Sequence, residues 1–201
     1  MGNWQAPFLQ YPQVRQRAQQ FLDTFHRSLT VPVPIDLIAD RALGITIVPC
    51  HEMKNAFDVD GYLSADKKTI HVDMNTMENN LYRYRFTIAH ELGHLVLHPS
   101  LYDAARFITT EDWKSFVSGI APEQYGWAER QAYWFAGSVL LPASVFETRF
   151  RAYVTKAIAS GYPLKEYFED FIEFISAPLG REFAVSPDVV ERQIIKENLR
   201  P

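Results

Sequence analysis

The chain has 201 residues, of which 47% are hydrophobic and 22% are charged, a balance that is typical of a folded globular protein and excludes a disordered one. Its net charge of −4 argues against a protein that holds nucleic acid through clustered cations, and its single cysteine, Cys50, excludes an intrachain disulfide. No apolar run approaches the length of a membrane span, and no basic stretch followed by an apolar run begins the sequence. We therefore expect a cytoplasmic protein without a membrane partner.

The first part of the chain predicts helices followed by short strands. Residues 1–12 are polar and contain proline, so we expect a loose N-terminal arm. Apolar residues at helical spacing predict two helices, at 14–27 and 35–43. A short β-branched run predicts a strand at 45–48, and two further short runs predict strands at 61–63 and 69–73.

The residues after the predicted strands are expected to be mostly helical. We expect helices at 81–98, 127–141, 143–160 and 163–177, and a last helix that begins at Ser186 and Pro187. Residues 99–122 are expected to form short helices, with Thr110 as a cap. They form either a lid or a packed connector, and Trp113, Phe116 and Val117 favour the connector. The pattern predicts an α+β fold with a single domain at 13–201, whose C-terminal helical part covers about 143–201.

The chemically informative stretch is residues 86–94, which read FTIAHELGH. His90 and His94 are four residues apart on a predicted helix, so both imidazoles lie on one face and can bind one metal ion. Glu91 follows the first histidine and can take a proton from water on the open side of that ion. This is the HExxH pattern of zinc peptidases, and Gly93 allows close packing behind the metal. A helix that carries two histidines by chance remains the alternative.

A catalytic zinc site needs a third protein ligand and an open fourth position. Glu129 is the strongest candidate, because a glutamate flanked by alanine and aromatic residues is costly unless it is paired or binds a metal. Ala132 and Ala136 share its face and let this helix approach the histidine helix closely. An exposed Glu129 paired with a neighbouring arginine is the alternative, and Glu123 and Glu111 are weaker candidates.

The other histidines do not form a second metal-binding pattern. His98 lies four residues after His94, but each such step drifts around the helix, so we expect a structural histidine that points away from the metal. His71 is expected to be an ordinary strand residue or a support for the ligands. Cys50 and His51 are adjacent at a predicted strand end, which is a poor geometry for chelation.

Two segments resemble a known family. Residues 85–98 and 129–142 are similar to the two core motifs of the ImmA/IrrE metallo-endopeptidases. The resemblance implies a zincin-like fold in which a small mixed β-sheet packs against the active-site helix. It also implies that His90, His94 and Glu129 bind the metal, with Glu91 as the general base.

The resemblance implies a zinc-dependent endopeptidase whose substrate is a helix-turn-helix transcriptional repressor, without direct binding to nucleic acid. Manganese or iron fit the same donor set as zinc. The substrate could bind by strand addition to the strand at 69–73 or to its neighbour at 60–64. Two alternatives remain: a zincin-fold module that sequesters a transcription regulator without cutting it, and a toxin–antitoxin component.

Overall fold

The computed structural model describes residues 4–103 and 105–201. The described residues form an α+β fold, and none of their helices combines the length and the apolar character needed to cross a membrane. The elements in chain order are α1 (Tyr11–Phe25), α2 (Ile35–Leu37) with a following π-helical turn (Ile38–Ala42), β1 (Thr46–Cys50), α3 (Met53–Phe57), β2 (Gly61–Leu63), β3 (Thr69–Asp73), α4 (Met74–Asn79), α5 (Leu81–Leu97), a 3-10 turn (Pro99–Leu101), α6 (Thr110–Ser118), α7 (Pro122–Leu140), α8 (Ala143–Ala159), α9 (Phe168–Phe183) and α10 (Pro187–Lys196).

The three strands form a mixed sheet, which confirms the predicted fold class. Their order is β1-β3-β2, with β1 parallel to β3 and β2 antiparallel to it. Ile70 and Val72 of β3 are fully buried, and α5 packs against β2 and β3. Because β3 is the central strand, the suggestion that residues 69–73 offer a free edge is wrong, and β2 remains an edge strand.

The helix α5 packs most extensively against α7, and a glycine permits their close approach. A Cβ atom built on Gly93 would lie 3.1 Å from both the Cα atom and the carbonyl oxygen of Ala132. Ala132 and Ala136 are fully buried, as the small-residue face of α7 predicts. The helix α7 also packs against α1.

A buried arginine attaches the start of α5 to two distant parts of the chain. The Arg85 guanidinium donates hydrogen bonds to the carbonyl oxygens of Val33 at 2.7 Å and Ala184 at 3.1 Å. Val33 precedes α2, and Ala184 follows α9. These bonds to a charged donor hold the helix between the N-terminal and C-terminal parts of the fold.

Several element boundaries differ from their predictions. The helix predicted at 163–177 begins only at Phe168, because residues 163–167 form turns, and it continues through Pro178. Proline is tolerated there because the carbonyl that loses its helical partner belongs to Phe174, which is exposed and accessible to water. The cap of α6 is Thr109 rather than Thr110, since the Thr109 hydroxyl accepts a hydrogen bond from the Asp112 amide. The short helices α3 and α4 were not predicted.

Residues 4–10, which we call the N-terminal segment, lie against α7. The amide of Ala6 donates to Gln124 Oε1 at 2.9 Å, and the ring of Phe8 stacks on that of Trp127. The division of the chain into an arm at 1–12 and a domain at 13–201 stays a prediction.

We predict that Gly93→Ala destabilises the protein by about 1–3 kcal/mol, because the new methyl group must push α7 away from α5. Gly126→Ala is the matched control on α7, since a Cβ atom there meets nothing within 4 Å. That control should stabilise the helix by about 0.5–1 kcal/mol. Urea unfolding of both variants measures the difference, and equal effects of the two substitutions would contradict the close α5–α7 approach.

Candidate metal centre

Two imidazoles on α5 and one carboxylate on α7 meet in the structure. The Nε2 atoms of His90 and His94 lie 3.1 Å apart. The two carboxylate oxygens of Glu129 lie 3.2 Å from these atoms, Oε2 from His90 and Oε1 from His94. The structure thus brings together the three residues that the sequence proposed as ligands.

The spacing of these donor atoms fits a single metal ion. Donors about 2.1 Å from a tetrahedral zinc ion lie about 3.4 Å from one another, close to the distances observed here. Two imidazoles and one carboxylate are also the donor types of catalytic zinc sites. The His94 side chain is only 6% exposed whereas that of Glu129 is 36% exposed, so the cluster opens towards solvent on one side.

Glu129 and His90 shift each other's pKa values. Burial alone would raise the pKa of Glu129, but the two histidines outweigh it and hold that pKa well below its usual range. Burial would likewise lower the pKa of His90, yet the neighbouring Glu129 carboxylate raises it. Glu129 therefore keeps its negative charge beside the two imidazoles, and an anionic donor in this position suits the binding of a cation.

Glu91 has a different environment although it is on the same helix. Its side chain is buried, and its Oε2 accepts a hydrogen bond from the backbone amide of Leu63 at 2.9 Å. Burial raises the pKa of Glu91. Its carboxylate is absent from the cluster of metal donors among the described residues, so it remains free to exchange a proton beside them.

Two cavities flank the donor cluster. The first, of about 660 Å³, is lined by His90, Glu91, His94 and Glu129 and by apolar residues of the connector, which include Trp113, Phe116 and Val117. The second, of about 630 Å³, shares His90, Glu129, Tyr133 and Val189 with the first. It is otherwise lined by residues of α7 and α10, which include Arg130 and Lys196. The donors therefore lie at the junction of two open spaces.

The connector is packed and also borders the site. Trp113 stacks on Tyr62 of β2, with ring centroids 5.1 Å apart, and Phe116 is buried. Both residues line the first cavity. The anchors that favoured a packed connector thus also form one wall of the cavity.

The remaining candidate residues lie away from the donors. Glu111 and Glu123 are exposed and are not part of the described metal cluster. His71 stacks on Tyr62 with its Nδ1 atom 3.4 Å from Cys50 Sγ, so Cys50 contacts His71 rather than its neighbour His51.

Sequence analysis missed Tyr102, Tyr125 and Gln131 around the site, and it expected His98 only as a structural histidine. Tyr102 and Tyr125 line the first cavity, and burial raises the pKa of both hydroxyl groups. His98 Nδ1 lies 3.2 Å from His94 Nδ1, and Gln131 Oε1 lies 2.9 Å from His98 Nε2. Burial lowers the pKa of His98 to about 4, so its ring is neutral. The available signal for Gln131 was a polar residue between Glu129 and Ala132 on an apolar helix.

An HExxH helix that faces a carboxylate on a second helix, beside a small mixed sheet, defines a zincin-like domain of the metallopeptidase type. The Peptidase M78 family, described as the IrrE N-terminal-like domain, matches residues 40–194. The chain belongs to this family. The matched region contains the histidine helix and Glu129.

A comparison with solved structures supports the fold. A solved structure of a Mycobacterium tuberculosis transcriptional regulator is similar, with a TM-score of 0.50 and 22% sequence identity. The similarity covers 90% of this chain but 46% of that protein, so this chain spans about half of its length. A comparison with curated proteins found no match.

We predict that the wild-type protein binds about one zinc ion per chain and that Glu129→Ala weakens this binding. The loss should exceed the roughly 10–100-fold typical of removing a supporting residue, because a donor itself is lost. Competition with a chromogenic chelator measures the affinity. Glu123→Ala, on the exposed first turn of the same helix, should bind zinc like the wild type. Equal affinity in all three proteins would exclude Glu129 as a ligand.

Proposed function

We propose that this protein is a zinc-dependent endopeptidase in which His90, His94 and Glu129 hold the metal and Glu91 is the general base. The observation that carries the proposal is the convergence of the His90, His94 and Glu129 side chains, whose nearest donor atoms lie 3.1–3.2 Å apart, beside a buried carboxylate that is not a donor. Membership of a peptidase family supports the reaction class.

The donor set suits zinc. Imidazole suits zinc, iron and copper, and two histidines with one carboxylate leave a fourth position for a reactant. Zinc bound there would supply Lewis acidity, which polarises a carbonyl group and makes water more acidic. Manganese and iron are the alternatives that metal analysis of the purified protein would distinguish.

Glu91 is suited to move the proton during peptide hydrolysis. In the proposed reaction it takes a proton from the attacking water and passes it to the nitrogen of the leaving amine. Its raised pKa brings proton uptake closer to neutral pH than for an exposed glutamate. The hydrogen bond from the Leu63 amide fixes one oxygen, which leaves the other oxygen free for the proton.

The shape of the site supports a polypeptide substrate. The two cavities meet at His90, Glu129, Tyr133 and Val189, so an extended chain that crosses the donors can occupy both. Edge strand β2 borders the first cavity through Gly61, and an extended substrate can align along it. Apolar rings on one side and the cations Arg130 and Lys196 on the other give the two halves different chemistry.

For the substrate we propose a helix-turn-helix repressor in the cytoplasm. The support is the resemblance of the two core motifs to the ImmA/IrrE peptidases, together with the transcriptional regulator among the similar structures. The net charge of −4 favours contact with the repressor protein itself rather than with its DNA.

We predict that Glu91→Gln abolishes cleavage but retains zinc. Glutamine keeps an oxygen that can accept the Leu63 hydrogen bond, so the fold is preserved, but it cannot take a proton. The rate of cleavage should fall by about 10²–10⁴-fold, while zinc affinity stays close to that of the wild type.

The test incubates zinc-loaded wild type and Glu91→Gln with helix-turn-helix repressors of the source organism and identifies new termini by mass spectrometry. Cleavage of a repressor by the wild type but not by Glu91→Gln would support the proposed peptidase activity. Equal binding of a repressor by both proteins without cleavage would instead favour the sequestering module. Cleavage of unrelated proteins but of no repressor would reject the proposed substrate.

A further inference from the structure

A buried chain of hydrogen bonds leads from the metal donors to the N-terminal segment. His94 Nδ1 lies 3.2 Å from His98 Nδ1, and His98 Nε2 lies 2.9 Å from Gln131 Oε1. Gln131 Nε2 then donates to the carbonyl oxygen of Pro7 at 2.7 Å. We call the side chains of His94, His98 and Gln131, with the Pro7 carbonyl, the histidine–glutamine chain.

The far end of this chain fixes the position of every proton in it. A backbone carbonyl can only accept, so the amide nitrogen of Gln131 must face Pro7 and its oxygen must face His98. His98 therefore carries its proton on Nε2. A fully buried imidazole is favoured in its neutral form, so His98 Nδ1 is an acceptor, and His94 must donate from Nδ1. The lone pair of His94 then lies on Nε2, the atom that faces Glu129 and His90.

The opposite order of protons would disable the site. If His98 Nδ1 carried a proton, His94 would have to accept at Nδ1 and would carry its own proton on Nε2. A protonated Nε2 cannot bind a metal ion. His98 and Gln131 are both fully buried, so water does not compete for these bonds and the order is held firmly.

The N-terminal segment covers the histidine–glutamine chain. The indole nitrogen of Trp4 donates to Ser100 Oγ at 3.3 Å, and its ring meets His98 edge-on with centroids 6.2 Å apart. Together with the bond from Ala6 to Gln124, these contacts hold the Pro7 carbonyl over Gln131. Residues that the sequence predicted as a loose arm thus supply the last acceptor of the histidine–glutamine chain.

We propose that His98 and Gln131 are positioning residues for the ligand His94 and that the N-terminal segment, through the Pro7 carbonyl, sets the tautomer in which His94 can bind metal. This proposal rests on the proposed metal site but not on peptidase activity. It assigns to His98 a role beyond that of a structural histidine at a helix end.

The first test reads the tautomers in the metal-free wild-type protein. Long-range proton–nitrogen NMR spectra of isotope-labelled histidine at neutral pH distinguish the two nitrogens of each ring. We expect His94 protonated on Nδ1 and His98 protonated on Nε2. A His94 protonated on Nε2, or a doubly protonated His98, would overturn the proposal, and this result needs no substitution that could affect folding.

The second test measures zinc affinity by chelator competition in four variants whose fold is checked by near-ultraviolet circular dichroism. His98→Phe and Gln131→Met break the chain and should weaken zinc binding by about 10–100-fold. His98→Asn should restore most of the affinity, because its side-chain oxygen can take the place of Nδ1 as the acceptor. Gln193→Met is the control, since Gln193 is another buried glutamine but bonds to Tyr11 and Glu197.

The outcomes separate the two proposals. Zinc binding by the wild type with unchanged affinity in His98→Phe would overturn the positioning role and leave the metal site intact. Absence of zinc binding by the wild type would instead reject the metal site itself, while the NMR result would still decide the proton order. Equal losses in Gln131→Met and Gln193→Met would indicate a general effect of removing a buried glutamine, which would also contradict the proposal.

Discussion

The close packing of α5 against α7 is the constraint on which the site depends. His90 and His94 belong to one helix and Glu129 to the other, so the distance between the helices sets the distance between donors. A side chain at Gly93 would meet the backbone of Ala132 at 3.1 Å, which is tighter than ordinary contact. Arg85 holds α5 in place through carbonyls before α2 and after α9. The metal donors are thus positioned by backbone proximity rather than by flexible side chains.

The same packing gives two glutamates opposite properties. Glu129 faces two imidazoles, which keep its pKa low and its charge present. Glu91, one residue after His90, turns into the fold beside β2, where burial raises its pKa. Neighbouring carboxylates with separated proton affinities are the usual arrangement where one group binds and another transfers protons. The edge strand β2 contributes directly, because its Leu63 amide holds the carboxylate of Glu91, the proposed general base, in position.

The sequence predicted the main features of the fold and of the site. The helical spacing of His90 and His94 and the unusual environment of Glu129 pointed to three residues that the structure brings together. Most helices were also predictable, since their apolar periodicity is strong, whereas the mixed sheet was implied by the family resemblance. The boundaries of α9 and the short helices α3 and α4 were not, because turns near Pro163 and the exposed position of Phe174 depend on the surrounding structure.

The sequence by itself determined which residue types can bind a metal and which helices carry them, because these follow from local spacing on a single element. Only the tertiary structure decided what surrounds them. Gln131 and the Pro7 carbonyl are 124 residues apart, and His98 meets Gln131 across 33 residues, so no local pattern relates them. The hydrogen bond from Leu63 to Glu91 likewise depends on how α5 lies against the sheet. These contacts form only when separate elements pack together, and in our proposal they fix the proton positions on which the chemistry of the donors depends.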